Sequence, residues 1–236
     1  MKELVGKYWL YFLVGQFPNG PLGGLTLTLL LAAAGLLLAL PLGMLLGVAR
    51  LSANRWLRWP VTALVMTVRG TPLLMVVFWA YFFLPSVTGV RTNQFSTMLI
   101  ALVLFDGAYL AEIVRAGILG VPKGQTEAAR SLGLGVAGAL RFVVLPQALR
   151  SMLPSLVNQF ASSIKETSLG YIIGLQEVSF IASQINNLEL TKSTSIYLSL
   201  AGTYFVLCFG LSRLAFWLER SLSVPRFSAA AVVRAV

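Results

Sequence analysis

Histidine is absent from the 236 residues, and cysteine occurs once, at Cys208 inside an apolar run. Those absences exclude a disulfide framework and any Cys/His metal cluster, and with them metalloenzyme and thiol chemistry. Charge is also scarce: 11% of residues are charged and 57% hydrophobic, for a mean hydropathy of +0.82. A soluble core of this length cannot hide so much apolar surface, so the excess must face lipid. No G-x-x-x-x-G-K-[ST] loop is present to hold a nucleotide, so a process driven by nucleotide hydrolysis would need a partner. Internal repeats, low-complexity linkers and a cytoplasmic catalytic domain are not apparent either.

What is present is a series of apolar runs. Crossing a hydrocarbon layer of about 30 Å takes roughly 20 helical residues. The runs predict an all-α integral membrane protein with five spans, at residues 25–48, 61–84, about 95–119, 153–175 and 196–218. Residues 1–20 read as an interfacial segment, because Tyr8, Trp9, Tyr11 and Phe12 follow Lys2 and Lys7 with no small-residue cleavage site behind them. Residues 21–222 form the membrane domain, and 223–236 are expected to be a flexible cytoplasmic tail.

The net charge of +10 does not point to nucleic acid, since the basic residues are scattered over short connections rather than gathered on one polar face. It sets orientation instead. With the first connection inside, Arg50, Arg55, Arg58, Lys123, Arg130, Arg141, Arg150, Arg220, Arg226 and Arg234 are cytoplasmic, against Lys2, Lys7, Arg91 and Lys192 outside. The positive-inside rule therefore places the N-terminus outside.

Between the third and fourth spans, residues 120–146 are too polar to cross. Residues 124–146 read GQTEAARSLGLGVAGALRFVVLP, which predicts two short helices meeting at a corner made by Gly133 and Gly135. Glu127, Ala128, Ala129, Gly133, Leu145 and Pro146 fall in register with the EAA loop of ATP-binding-cassette importer permeases, with Val143 where isoleucine is usual. The segments 69–74 (RGTPLL), 108–118 (AYLAEIVRAGI) and 145–148 (LPQA) also resemble the polar amino acid permeases, most closely in pattern the glutamate/aspartate type.

That resemblance implies Glu127, Ala128, Ala129 and Gly133 as coupling contacts to an ATPase dimer. Small side chains permit the close approach such a seat requires. It further implies a second permease subunit, identical or homologous, and a periplasmic or lipoprotein solute-binding protein. No cofactor is expected in this chain, ATP and Mg being held by the partners. The location implied is the bacterial inner membrane, multi-pass, with lipid around it.

Ionisable groups within spans are costly and mark cavities, partners or interfaces. Lys165, Glu166, Thr167 and Ser168 interrupt the fourth run and offer both charge signs and hydroxyls to an amino acid's carboxylate and ammonium. A Lys165–Glu166 pair that satisfies itself is the bland alternative. Arg69 stands beside Gly70 and Pro72, where the helix should kink, and either holds a substrate carboxylate or ties free carbonyls. Asp106 is either an ammonium contact or a buried hydrogen-bonding group, whereas Glu112 and Arg115, three apart on one face, read as structural. Glu177, Glu189 and Lys192 are expected to be solvated loop charges.

The expected function is thus an importer permease for polar amino acids, acidic ones first, with neutral polar or cationic ones as alternatives. A gradient-driven secondary transporter or channel is the competing class, weakened by the missing inverted repeat. A membrane-embedded enzyme ranks far behind, because the spans offer no histidine and no nucleophile beside a base.

Overall fold

The computed structural model describes residues 2–89 and 93–222. The tail 223–236, with Arg226 and Arg234, and the external Arg91 lie outside the described residues, as does the side chain of Lys2.

Helix α1 (Lys2–Val14) leads through a turn into α2 (Gly24–Ala49), the first span. The second apolar run is not one helix. It is α3 (Arg55–Gly70) followed, at Thr71 and Pro72, by α4 (Leu73–Phe78), a π-helical turn at Trp79–Phe83 and α5 (Leu84–Thr88), and the two arms meet at 105°. Proline lacks the amide needed to continue the ladder and disfavours helical geometry in the residue before it. Thr71 is accordingly extended, at φ −99° and ψ 135°.

The third span is α6 (Gln94–Gly120), started by Asn93, whose side chain accepts from Ser96 N. It is followed by α7 (Lys123–Ser131) and α8 (Val136–Ala139), then a π-helical turn at Leu140–Val144 and α9 (Leu145–Glu166). The second helix of the 120–146 loop is therefore not short, as the glycine corner had suggested. It runs on through Pro146 into the fourth span, because the π-helical turn at Leu140–Val144 shifts the hydrogen-bond ladder just where the proline has no amide to donate. The span ends in a 3₁₀ turn at Thr167–Ile173. Helix α10 (Val178–Leu188) lies in the connection that follows, and α11 (Ser193–Leu222) is the last span. Among the described residues, four continuous spans and one broken span make up the five expected.

Helix α6 is central: 61% of its most apolar window is buried, against 6% for α11. Its most extensive partner is α2. Without a hydrophobic force between helices in lipid, close backbone approach is what holds such a pair. Gly43 supplies it, since a Cβ there would overlap the Leu110 side chain and meet Gly107 O at 3.2 Å.

Helices α1 and α10 lie on the same side. Lys7 Nζ and Tyr8 Oη donate to Glu189 Oε1 at 2.8 and 3.1 Å, and Tyr11 Oη donates to Gln184 at 2.5 Å. The first segment is therefore helical and clamped to the connection between spans four and five. These partners hold the Glu189 carboxyl down to about 2, Lys7 first and Tyr8 next, and they raise Lys7.

Candidate translocation site and coupling surface

Two charged centres sit on α6, six residues apart and so separated by about 9 Å along its axis. At the first, Asp106 is fully buried. Gln159 Nε2 donates to its Oδ1 at 2.8 Å and Ser163 Oγ to its Oδ2 at 2.6 Å. Glu166 lies beside the same carboxylate, and its Oε2 is buried without a hydrogen-bond partner among the described residues. Gln159, Ser163 and Glu166 follow at spacings of four and three, one face of α9 turned to α6. Asp106 is thus hydrogen-bonded to a neighbouring helix, and the donors are neutral dipoles. Two carboxylates lie side by side, and no ion pair reaches either among the described residues.

The remaining residues of that stretch point elsewhere. Lys165, one residue and so about 100° round the helix, is exposed, and no ion pair joins it to Glu166 among the described residues. Thr167 is buried and donates to Ile164 O at 2.8 Å, and Ser168 donates to Lys165 O at 2.6 Å. Both hydroxyls close the last turn of the span and keep acceptor capacity only.

The second centre is Glu112, which gathers three arginines. Arg50 Nη1 approaches Oε2 at 2.5 Å, Arg69 Nη1 the same oxygen at 3.5 Å, and Arg115 Nη2 approaches Oε1 at 2.5 Å. The Arg69 guanidinium also lies 5.1 Å from the Tyr109 ring centroid. One carboxylate therefore ties the ends of α2 and α3 to the middle of the bundle, and the cluster keeps a surplus of two positive charges. Arg115 was expected here. Arg50 and Arg69 were not, since their chain separation from Glu112 carries no periodic signal.

The connection after span four also departs from expectation. Glu177 is fully buried rather than solvated, and it caps α10 by accepting from Ser179 N and Phe180 N at 2.9 Å each. Tyr204 Oη donates to it at 3.3 Å. Burial pushes its carboxyl up to about 7 against those hydrogen bonds. An acidic residue just before the apolar run 178–182 was the available sign of a helix cap.

At the cytoplasmic end, α7 stands out from the bundle with Glu127 and Ala128 exposed, whereas Ala129 is turned inward. Its end is a Schellman cap: Leu134 N donates to Ala129 O at 3.2 Å and Gly133 N to Arg130 O at 3.0 Å. Gly133 sits at φ +86°, which side chains other than glycine's adopt only with strain. Leu132 and Val136, 85% and 70% exposed, flank the corner with apolar surface.

A bundle of broken and continuous spans with a capped helix projecting from one end is the architecture of a multi-pass membrane protein. The chain belongs to the family of binding-protein-dependent transport system inner membrane components, whose profile matches residues 39–224. Within it, the relatives are amino-acid permeases of ATP-binding-cassette transporters. The inner membrane amino-acid ABC transporter permease protein YhdY of Escherichia coli (strain K12) is 37% identical over 227 residues, 93% of this chain and 62% of the relative. The probable glutamine ABC transporter permease protein GlnP of Bacillus subtilis (strain 168) is 38% identical, over 83% of this chain and 90% of its own length. The glutamate transport system permease protein GluD of Corynebacterium glutamicum is 35% identical, over 95% and 83%. A crystal structure of an amino acid ABC transporter with histidines superposes at a TM-score of 0.77 with 33% identity, covering 84% of this chain and 92% of that one. The MetNI methionine ABC transporter, at 22% identity and a TM-score of 0.64, shares the fold.

The chain is therefore a multi-pass inner membrane permease of the amino-acid ABC type.

Proposed function

We propose that this chain forms half of a translocation pathway for a polar amino acid, moved inward by alternating access while partner ATPases close against α7. The observation that carries this reading is the projecting helix, with Glu127 and Ala128 outward and Gly133 fixing the corner behind them. ATP and Mg belong to the partners, a solute-binding protein delivers the substrate from outside, and a second permease, identical or homologous, completes the pathway.

Within the bundle, the Asp106 and Glu166 carboxylates are the ammonium site, because an ammonium supplies the donors that the free Glu166 oxygen lacks. Arg69 and the surplus positive charge around Glu112, about 9 Å along α6, attract the carboxylates. Two positive charges in excess favour a substrate with a second carboxylate, so acidic amino acids are the first substrates to test. Lys165, on the exposed edge of α9, and Ser168, in the turn after it, would join this site once the second permease closes the pathway, with the buried Thr167 holding that turn.

Purification of tagged protein from native membranes, with identification of stoichiometric companions, tests the reading. A P-loop ATPase should copurify and be lost on Glu127→Lys. Its reproducible absence, together with ATP-independent uptake, would favour a gradient-driven transporter, the reading that two adjacent buried carboxylates would otherwise support.

A further inference from the structure

Between Glu3 and Asp106 the chain contains no acidic residue, yet Arg50, Arg55, Arg58, Arg69 and Arg91 fall in that interval. Arg50 and Arg69 are taken up by Glu112. Arg55 and Arg58 are exposed on the first turns of α3 and make no ion pair among the described residues. They alternate with two exposed tryptophans, Trp56 at 89% and Trp59 at 64%. The Arg55 guanidinium lies 6.0 Å from the Trp59 ring centroid, so the indole holds the charge at the rim of a groove. That groove is lined by Arg55, Trp56, Trp59, Pro60 and Ala63.

Helix α3 begins directly after the cytoplasmic end of α2, so this face lies at the level of the inner-leaflet headgroups. Indoles favour that depth, and basic side chains there are drawn to an anionic leaflet. The start of α3 adds its positive helix end, with the amide of Trp56 already satisfied by Asn54 Oδ1.

We propose that this groove binds the headgroup of an anionic phospholipid, the phosphate between Arg55 and Arg58 and the first methylenes against Trp59, Pro60 and Ala63. The site is independent of which solute is carried. It makes lipid charge a determinant of how the broken span is seated, because α3 runs from this groove to Arg69 at the break.

Native mass spectrometry of the purified full-length chain, titrated with phosphatidylglycerol and with phosphatidylcholine, tests it. Phosphatidylglycerol should bind roughly tenfold or more tightly than phosphatidylcholine, on the scale of two surface arginines. R55Q/R58Q should abolish that preference, while R55K/R58K keeps most of it. Equal binding of the two lipids, or a preference unchanged in R55Q/R58Q, would overturn the proposal. So would a result in which R55Q/R58Q leaves lipid binding intact but disrupts self-association or retention of the ATPase, since the face would then belong to a protein partner.

Discussion

Asp106 and Glu112 are acidic residues on one helix, six positions apart, with opposite surroundings. Asp106 receives two neutral donors and a second carboxyl neighbour, whereas Glu112 receives three guanidiniums. Removing one partner of a buried ion cluster leaves uncompensated charge and is costly, while a carboxylate held by dipoles can lose its charge and keep its hydrogen bonds. On the proposed reading the first centre receives the substrate ammonium, while the second holds α2, α3 and α6 in place and leaves two positive charges in excess for the carboxylates. Depth in the membrane does not by itself assign a transport role; the partner set does.

The largest effect should come from Glu112→Gln. Arg50, with 6% of its side chain exposed, would lose its charge partner, at a cost of about 3 kcal/mol. Thermal unfolding of the purified protein should shift strongly downward, and an unchanged transition would remove the cluster from its structural role. Asp106→Asn or Glu166→Gln should instead leave unfolding within about 1 kcal/mol, since amides fit the same contacts, yet lower uptake at least tenfold. If these variants unfold early and the Glu112 variant does not, the contrast between the two centres is reversed.

A smaller effect is expected at the coupling corner. Gly133→Ala meets no atom within 4 Å, so it tests the positive φ alone, at about 1 kcal/mol. Uptake and ATPase retention should fall several-fold, and Gly133→Asn should recover most of the loss because asparagine tolerates that geometry. Gly133→Asp adds a charge at the docking surface and should uncouple hydrolysis from uptake while insertion remains normal.

The effect confined to one pH window is the dependence contributed by Glu177. Its carboxyl is raised from an ordinary 4.5 to about 7, so its stabilisation of the docked α10 is fully present below about 4.5 and is lost as pH rises through 7. Unfolding temperature should decline across that window, and Glu177→Gln should flatten the decline. A slope identical in both proteins would place the titration elsewhere.

Much of this was legible in the chain. Apolar run length gave the spans, Pro72 gave the break, and Pro122 with Gly133 gave the coupling helix, because each is a local rule about backbone groups. Gln159, Ser163 and Glu166 share a helical face that periodicity could have identified as the partner surface of Asp106. Arg50 could not be matched to Glu112 across 62 positions, since an ion pair between spans leaves no periodic trace. Glu177 was misread because polarity predicts exposure only where no helix start needs capping. The second coupling helix was cut short because the polar loop was bounded at 146 and the fourth apolar run counted from 153, and hydropathy does not show that one helix joins the two.

The most direct measurement is uptake into proteoliposomes containing this permease, its copurified ATPase and its solute-binding protein, over a panel of amino acids, sugars and metal ions. Saturable, ATP-dependent uptake of polar amino acids, acidic ones foremost, falling at least tenfold in Glu166→Gln with ATPase retention unchanged, is the predicted result. Uptake of sugars or metal ions alone, or uptake that proceeds on an ion gradient without ATP, would contradict it.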